Sequence, residues 1–412
     1  MTTVGIVAEY NPLHNGHVHH FHEAKRLAGA EKAIVIMSGP FTQRGEPAAV
    51  SKQARTEMAL HMGADLVIEL PVAYAIQPAE WFAFGAVSLL EATGVVDSLC
   101  FGSEAGNLGS LLPLAKYLAE ESSELKGEIR RRMALGSSFP AAYSAAAASA
   151  WQDSLLEEEN PLDARELLRQ PNNSLGLHYL ISLQRLHSKI QPLTVPRTGA
   201  GFHDPLTTGS AIASATAIRK LLQEGGSPAS YMPSYSLSIL EREHTAGRGP
   251  LGLEDFQTPL AHVLTTRSAA ELQLMQDMNE GLEHRILRLM PQLEQFTVTG
   301  LLTLLKSKRY TQTRLQRLLL HVLLNHSKEE LASPILAQGP GYIRILGFRE
   351  SGRTLLKQMK QSATLPVVMR PSLCSHPQLE RDLQAGTVYA GAFANPLRGD
   401  LYRDYLEPPV RV

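Results

Sequence analysis

The 412-residue chain balances 39 Lys and Arg against 40 Asp and Glu, a formal charge of −1, with 44% hydrophobic and 19% charged residues. Such a composition suits two or three globular cores and excludes a chain that grips nucleic acid through bulk charge, so any RNA surface must be a local basic patch. The two cysteines, Cys100 and Cys374, make no disulfide framework, no apolar run reaches the length of a bilayer span, and no leader precedes the first strand, so a soluble cytoplasmic protein is expected.

Residues 4–8 form a short apolar run that predicts a buried parallel strand. Asn11-Pro12 breaks it, because proline lacks a donor and pushes its predecessor out of the helical region. Val18, Phe21, Ala24, Leu27 and Ala28 have helical spacing, which predicts a helix from about His17. Strand, tight turn and helix N-terminus together bind phosphate, through unpaired amides and the positive end of the dipole. His14 and His17 flank Gly16, whose missing side chain lets a ligand approach the backbone. A zinc site on His14, His17 and His20 is the alternative, but no nearby cysteine or H-E-x-x-H pattern completes it. His19 and His22 read as solvated helix positions.

Residues 33–37 predict a second strand, followed by a polar loop, 41–47, that holds Phe41, Gln43, Arg44 and Glu46. It sits past a strand's carboxyl end, where open α/β sheets place ligands, although a plain surface turn reads equally well. A helix over 51–62 with Ser51 as N-cap, a strand over 65–71, a helix over 80–92 and a strand over 98–102 come next. This alternation predicts an α/β fold with a parallel, doubly wound, Rossmann-like sheet, and Gly102 lies where a backbone could rest against a nucleotide. Residues 107–190 read as a mainly helical insertion in which Pro171-Asn172-Asn173-Ser174 caps a helix. A strand over 193–196 runs into Arg197 and a glycine-rich stretch, 198–204, that suits phosphate. Ser214 or Thr216 would cap the next helix, with Arg219 one turn in, beside the same anion.

After Gly225-Gly226-Ser227-Pro228 the composition changes. Residues 236–330 are helical, with Lys306, Lys308, Arg309, Arg314, Arg317 and His321 on a face that reads as solvated or as an RNA-backbone contact. The tail predicts one more β–α unit, with strands over 342–348 and 365–369. The expected organisation is therefore a catalytic unit over 1–224 and a mainly helical region over 225–412.

The order Pro-x-His-x-Gly-His after a first strand resembles the HIGH-motif nucleotidyltransferase superfamily. The Ser/Thr-x-x-Arg element at a late helix start resembles that superfamily's second phosphate clamp. More narrowly, VGIVAEYNPLHNGHVHH, MSGPFTQRGEPA, GADLVIELP, FGSEAG, PNNSLGLHYL, RTGAGFHD, SATAIRKLL and RILGFRESGRTLLK resemble successive blocks of the tRNA(Met) cytidine acetate ligase family. That resemblance implies an enzyme that makes acetyl-adenylate from acetate and ATP, with magnesium accompanying the nucleotide, and then acetylates N4 of the wobble cytidine in elongator tRNA(Met).

It further implies an ATP site built from Val7, Ala8, Glu9, Tyr10, Asn11, Pro12, Leu13, His14, Asn15, Gly16, His17, Val18, His19, His20, Gly102, Asn172 or Asn173, and Arg197. Ser214, Thr216 and Arg219 would complete it. His14, His17 and Arg219 would be catalytic, and Phe41, Gln43, Arg44 and Glu46 are the expected acetate pocket. The alternatives are an adenylyltransferase for a small phosphorylated metabolite and a nucleotide- or RNA-binding module without turnover. The chemistry agrees with the first reading: acetate is already ionised at neutral pH, so its attack on the α-phosphate needs positioning and charge neutralisation but no base.

Overall fold

The computed structural model describes residues 2–109, 111–137, 139–154, 167–168, 170–197 and 212–412. β1 (Thr3–Ala8), β2 (Lys32–Ser38), β3 (Leu66–Leu70), β4 (Ser98–Ser103) and β5 (Gln191–Pro196) lie parallel in the order β5-β4-β1-β2-β3. β1 is central because its alternating side chains are buried on both faces, and Gly5 pairs with Ile34 on one side and Leu99 on the other. The chain winds from β1 to β3 in one direction, then returns to lay β4 against β1. The carboxyl ends of β1 and β4 thus diverge and leave a crevice at the switch point.

Period-two alternation divides the sheet's two cores. Ile34, Ile36, Leu66 and Ile68 face one side, covered by the helices Ala79–Thr93 and Pro171–Arg185. Val35, Met37 and Val67 face the other, against Phe21 of α1 (Asn15–Ala28) and Met58 of α2 (Lys52–Met62).

The tail makes no sheet of its own. β6 (Ile343–Phe348) adds antiparallel to β3, and β7 (Val367–Val368) and β8 (Val410–Arg411) pair with β6. The strand expected over 365–369 thus shrinks to two residues. Glu69 of β3 lies opposite Arg344 of β6 at 3.0 Å, and Lys52 and Asp404 complete a buried square with contacts of 2.6, 2.9 and 3.1 Å. The four charges neutralise one another, with Gln53 adding a hydrogen bond to Asp404 at 3.0 Å, so the arrangement favours this register.

The helices Gln257–Thr266, Leu282–Leu289, Val298–Leu305 and Gln312–Leu323 enclose their own core, with Leu264, Leu301, Leu305 and Leu315 fully buried. The Gln312–Leu323 helix differs from the expected solvated basic face. His321 is fully buried, and Arg317 turns toward the 41–47 loop, on the side of the helix where Leu320 clusters with Phe41, Phe256 and Tyr389. Lys306, Lys308 and Arg309 do stay exposed. Among the described residues, no helix is long and apolar enough to cross a membrane.

Candidate active site

The crevice is a cleft of about 340 Å³ at the carboxyl ends of β1, β2, β4 and β5. It lies within the range of small-ligand sites.

α1 starts at Asn15, two residues earlier than its apolar spacing predicts, because His14 acts as the N-cap. The His14 Nδ1 accepts from Gly16 N at 3.1 Å, and the His17 Nδ1 accepts from His14 N at 3.3 Å. A nitrogen that accepts from an amide carries no proton, so in both neutral rings the proton sits on Nε2. The rings lie 3.8 Å apart, and the edge of Tyr10 meets His17 at 5.1 Å.

Burial, reinforced by Arg197 and Arg219, pushes His14 down to about 3. Burial and the neighbouring imidazoles hold His17 well below the usual value. Burial and Arg197 push His20 down to about 4. At neutral pH the site presents neutral imidazole N–H donors. Gly16 lines the cleft, and a Cβ there would lie 3.0 Å from the His14 ring and 3.4 Å from Ile212. Gly16 is needed so that the capping imidazole can fold back over the helix.

The second helix N-terminus belongs to Ala215–Gln223, where Ser214 rather than Thr216 is the cap, accepting from Ala217 N at 3.2 Å. Arg219 donates to Asn11 O at 3.0 Å and to Glu46 Oε2 at 2.9 Å, while Thr216 Oγ1 lies 3.5 Å from the same guanidinium. Both helix starts therefore face one cleft, which Arg197, just past the end of β5, also lines.

The Pro171–Arg185 helix corrects another expectation. Asn172 and Asn173 lie in its first turn and do not cap it. The Glu104 carboxylate performs that role, accepting from Asn172 N, Asn173 N and Asn172 Nδ2 at 3.2, 2.8 and 2.6 Å. Asn172 lines the cleft and accepts from Arg197 at 3.0 Å. Asn173 is buried between Ala105 N and Gln170 and does not line the cleft. A Cβ on Gly102 would meet nothing closer than 3.7 Å, so the backbone there is open toward the cleft.

Val7, Ala8, Glu9, Tyr10, Asn11, His19, His20, Gln43, Arg44 and Glu46 also line the cleft. Pro12, Leu13, Asn15 and Val18 do not. Leu13 is fully buried, and Asn15 reaches away to Ser230 O. Phe41, expected in the acetate pocket, is fully buried against Phe256 and Tyr389 instead. It is apolar and the first residue of a loop tied at Phe41–Pro47, so it anchors the loop in the core. The glycine-rich stretch 198–204 lies outside the described residues.

Sequence reasoning missed Phe82, Phe101, Leu175 and Tyr179 as cleft walls, since their periodicity marks them only as core. It also missed Arg55. This fully buried guanidinium donates to the carbonyls of Glu9, Ser38, Gly39 and Val50. It knits the carboxyl ends of β1 and β2, and burial pushes it down to about 10. No local pattern distinguishes such an arginine from a solvated one on α2.

A family model described as HIGH Nucleotidyl Transferase matches residues 1–401. A tRNA(Met) cytidine acetate ligase of Caldanaerobacter subterraneus subsp. tengcongensis is 38% identical over the whole of both chains. Those of Bacillus licheniformis and Bacillus subtilis are 40% and 39% identical, covering all of this chain and 97% of theirs. Among solved structures, Thermotoga maritima TmcAL bound with alpha-thio ATP and its apo form superpose with TM-scores of 0.89 and 0.91, each at 35% identity with full coverage of both chains.

Proposed function

This chain belongs to the HIGH nucleotidyl transferase family, among the tRNA(Met) cytidine acetate ligases, and we propose that it makes acetyl-adenylate from acetate and ATP. It then acetylates N4 of the wobble cytidine in elongator tRNA(Met) and releases AMP, as a cytoplasmic enzyme.

The observation that carries this reading is the convergence of two helix N-termini, two donor imidazoles and Arg197 on one cleft. A triphosphate laid across them would meet helix dipoles, neutral N–H donors and two guanidiniums. The acetate carboxylate attacks the α-phosphorus, and the leaving pyrophosphate gathers charge. His14 and His17 would stabilise that charge through Nε2–H, with Arg197 and Arg219 opposite. Arg219 would exchange Glu46 for phosphate. Gly102 and Asn172 would border the nucleoside, and Gln43 and Arg44 the acetate. Magnesium would arrive on the triphosphate oxygens, which suit that hard cation; among the described residues, no group of three or more His, Cys, Asp or Glu could hold a metal ion. The region 225–412, with its exposed Lys306, Lys308 and Arg309, would meet the tRNA backbone.

The test is incubation with ATP, labelled acetate and total tRNA, followed by nucleoside analysis. Label in N4-acetylcytidine of elongator tRNA(Met) with AMP released is the expected result. Label that stops at acetyl-adenylate would overturn the acceptor. AMP retained on a small phosphorylated product would favour the metabolite adenylyltransferase, and absence of ATP turnover with any acid would overturn the ligase.

A further inference from the structure

The two half-reactions make different demands on protons. Acetate attacks as an anion and brings none. In the transfer step the N4–C bond forms and the acyl C–O bond breaks, its electron pair leaving on the AMP phosphate. The N4 nitrogen must then give up one proton, and the groups named so far are donors. We propose that Glu9 accepts that proton on Oε2, an assignment that rests on the ligase reading above.

Elimination within the cleft leads to this residue. The Nδ1 lone pairs of His14 and His17 are engaged by backbone amides and their Nε2 atoms already carry protons, so neither ring can take another. Arg44, Arg197 and Arg219 are cations. Burial raises the Tyr10 and Tyr179 phenols, which stay protonated. Glu46 is held by Arg219 at 2.9 Å, with Gln316 at 3.4 Å from its other oxygen. His20 lies at the β4 end, its Cδ2 3.9 Å from the Cβ position of Gly102, and burial, reinforced by Arg197, disfavours its protonation. His19 sits at the solvent rim.

Glu9 stands at the carboxyl end of β1 with one oxygen fixed. Oε1 accepts from Gln43 N at 2.7 Å and from Ser38 Oγ at 3.4 Å, and among the described residues no donor reaches Oε2. A carboxylate held by one oxygen has its other lone pairs aimed and free, the requirement for a general base. Burial raises Glu9 above the usual carboxylate range, although Gln43 N and the nearby Arg44, Arg55 and Arg219 draw it back. That shift makes it a better proton acceptor near neutral pH. Its bonds to Ser38 and Gln43 turn the Glu9 carboxylate toward the β2 side of the cleft. Phe82 and Tyr179, which line the same cleft, offer apolar surface to a planar base.

Glu9→Gln tests the assignment, because its amide oxygen can still accept from Gln43 N. Two rates are read: acetate-dependent ATP–pyrophosphate exchange, and single-turnover transfer from enzyme-formed acetyl-adenylate to elongator tRNA(Met). Transfer should fall about 100-fold more than exchange does, the contribution typical of a positioned base. The limb of the transfer pH profile that rises as Glu9 ionises should vanish, and Glu9→Asp should recover part of both. Equal losses in the two rates would make Glu9 structural and overturn the proposal, as would unimpaired transfer. Absence of exchange in the unsubstituted protein would instead remove the ligase reading, and this assignment with it. If Glu9→Gln fails to fold, the split between the two rates in Glu9→Asp decides by the same criterion.

Discussion

Glu46 Oε2 lies 2.9 Å from Arg219 Nη2, and Glu46 Oε1 lies 3.4 Å from the Gln316 amide, so one carboxylate joins the proposed phosphate clamp to the Gln312–Leu323 helix. Gly45 sits directly on that helix. With φ at +77°, a Cβ there would fall 2.3 Å from Arg317 N. Glu46 is the anion that Arg219 holds in this structure. Replacing it by glutamine removes a competitor and a repulsive charge. Glu46→Gln is expected to tighten ATP about 3- to 10-fold, as for a partly exposed ion pair, read by isothermal titration. Unchanged or weaker binding would show that Arg219 does not release Glu46 to phosphate.

His17→Ala removes both an Nε2–H donor and the acceptor of His14 N. Acetate-dependent exchange should fall about 100- to 1,000-fold, the usual cost of losing one donor at a charge-developing atom. The melting temperature should shift little, since the ring borders the cleft. Full exchange in this variant would remove His17 from the chemistry.

Glu104 caps the Pro171–Arg185 helix from a different strand end. Glu104→Ala should cost about 1–2 kcal/mol of stability, measured by chemical denaturation. ATP should also bind more weakly, because Asn172 loses the bond that orients it toward Arg197. Loss of stability with unchanged ATP affinity would separate Asn172 from the nucleotide.

The depressed imidazoles give a signed pH dependence. His14 titrates near 3 when folded, against about 6.5 unfolded, so below that upper value the unfolded chain binds more protons. Stability is therefore full above about pH 6.5 and falls as pH drops toward 3, by about 2 kcal/mol at pH 5 from His14 alone. His321, pushed to about 3 by burial and Arg317, acts in the same direction. Denaturation at several pH values should show His14→Asn with a shallower acid slope than the parent protein. An equal slope would contradict burial as the cause.

Arg344 is the cross-strand partner of Glu69 and also reaches Asp404. Arg344→Met leaves two buried carboxylates with Lys52 as their one remaining cation in the square, which should cost about 3–5 kcal/mol in denaturant unfolding. A near-neutral result would mean that the square relaxes around the vacancy.

The sequence by itself carried the alternating strands and helices, because short continuous apolar runs such as 33–37 and capped helices such as 51–62 are local signals that packing only confirms. It also carried both helix starts and their order along the chain, since a phosphate-binding turn is written in a few adjacent residues, His14 to His17 and Ser214 to Arg219.

Local pattern could not decide which residue performs which role. His14 is a helix cap as well as a cleft donor, and Gly16 makes room for its imidazole. Asn172 and Asn173 are neighbours in sequence, yet the helix's rotation sends one to the cleft and the other to Ala105. Phe41 and Glu46 share a loop, but one is drawn into an apolar cluster with Tyr389 and the other meets Arg219. The tail's strands could have made a sheet alone. The square of Lys52, Glu69, Arg344 and Asp404, assembled from four distant stretches of chain, joins the shared core of Ile345, Phe348, Leu66 and Ile68 in selecting β3 as the partner of β6. Charges can be buried only where all their partners arrive together, and that condition exists only in the folded chain.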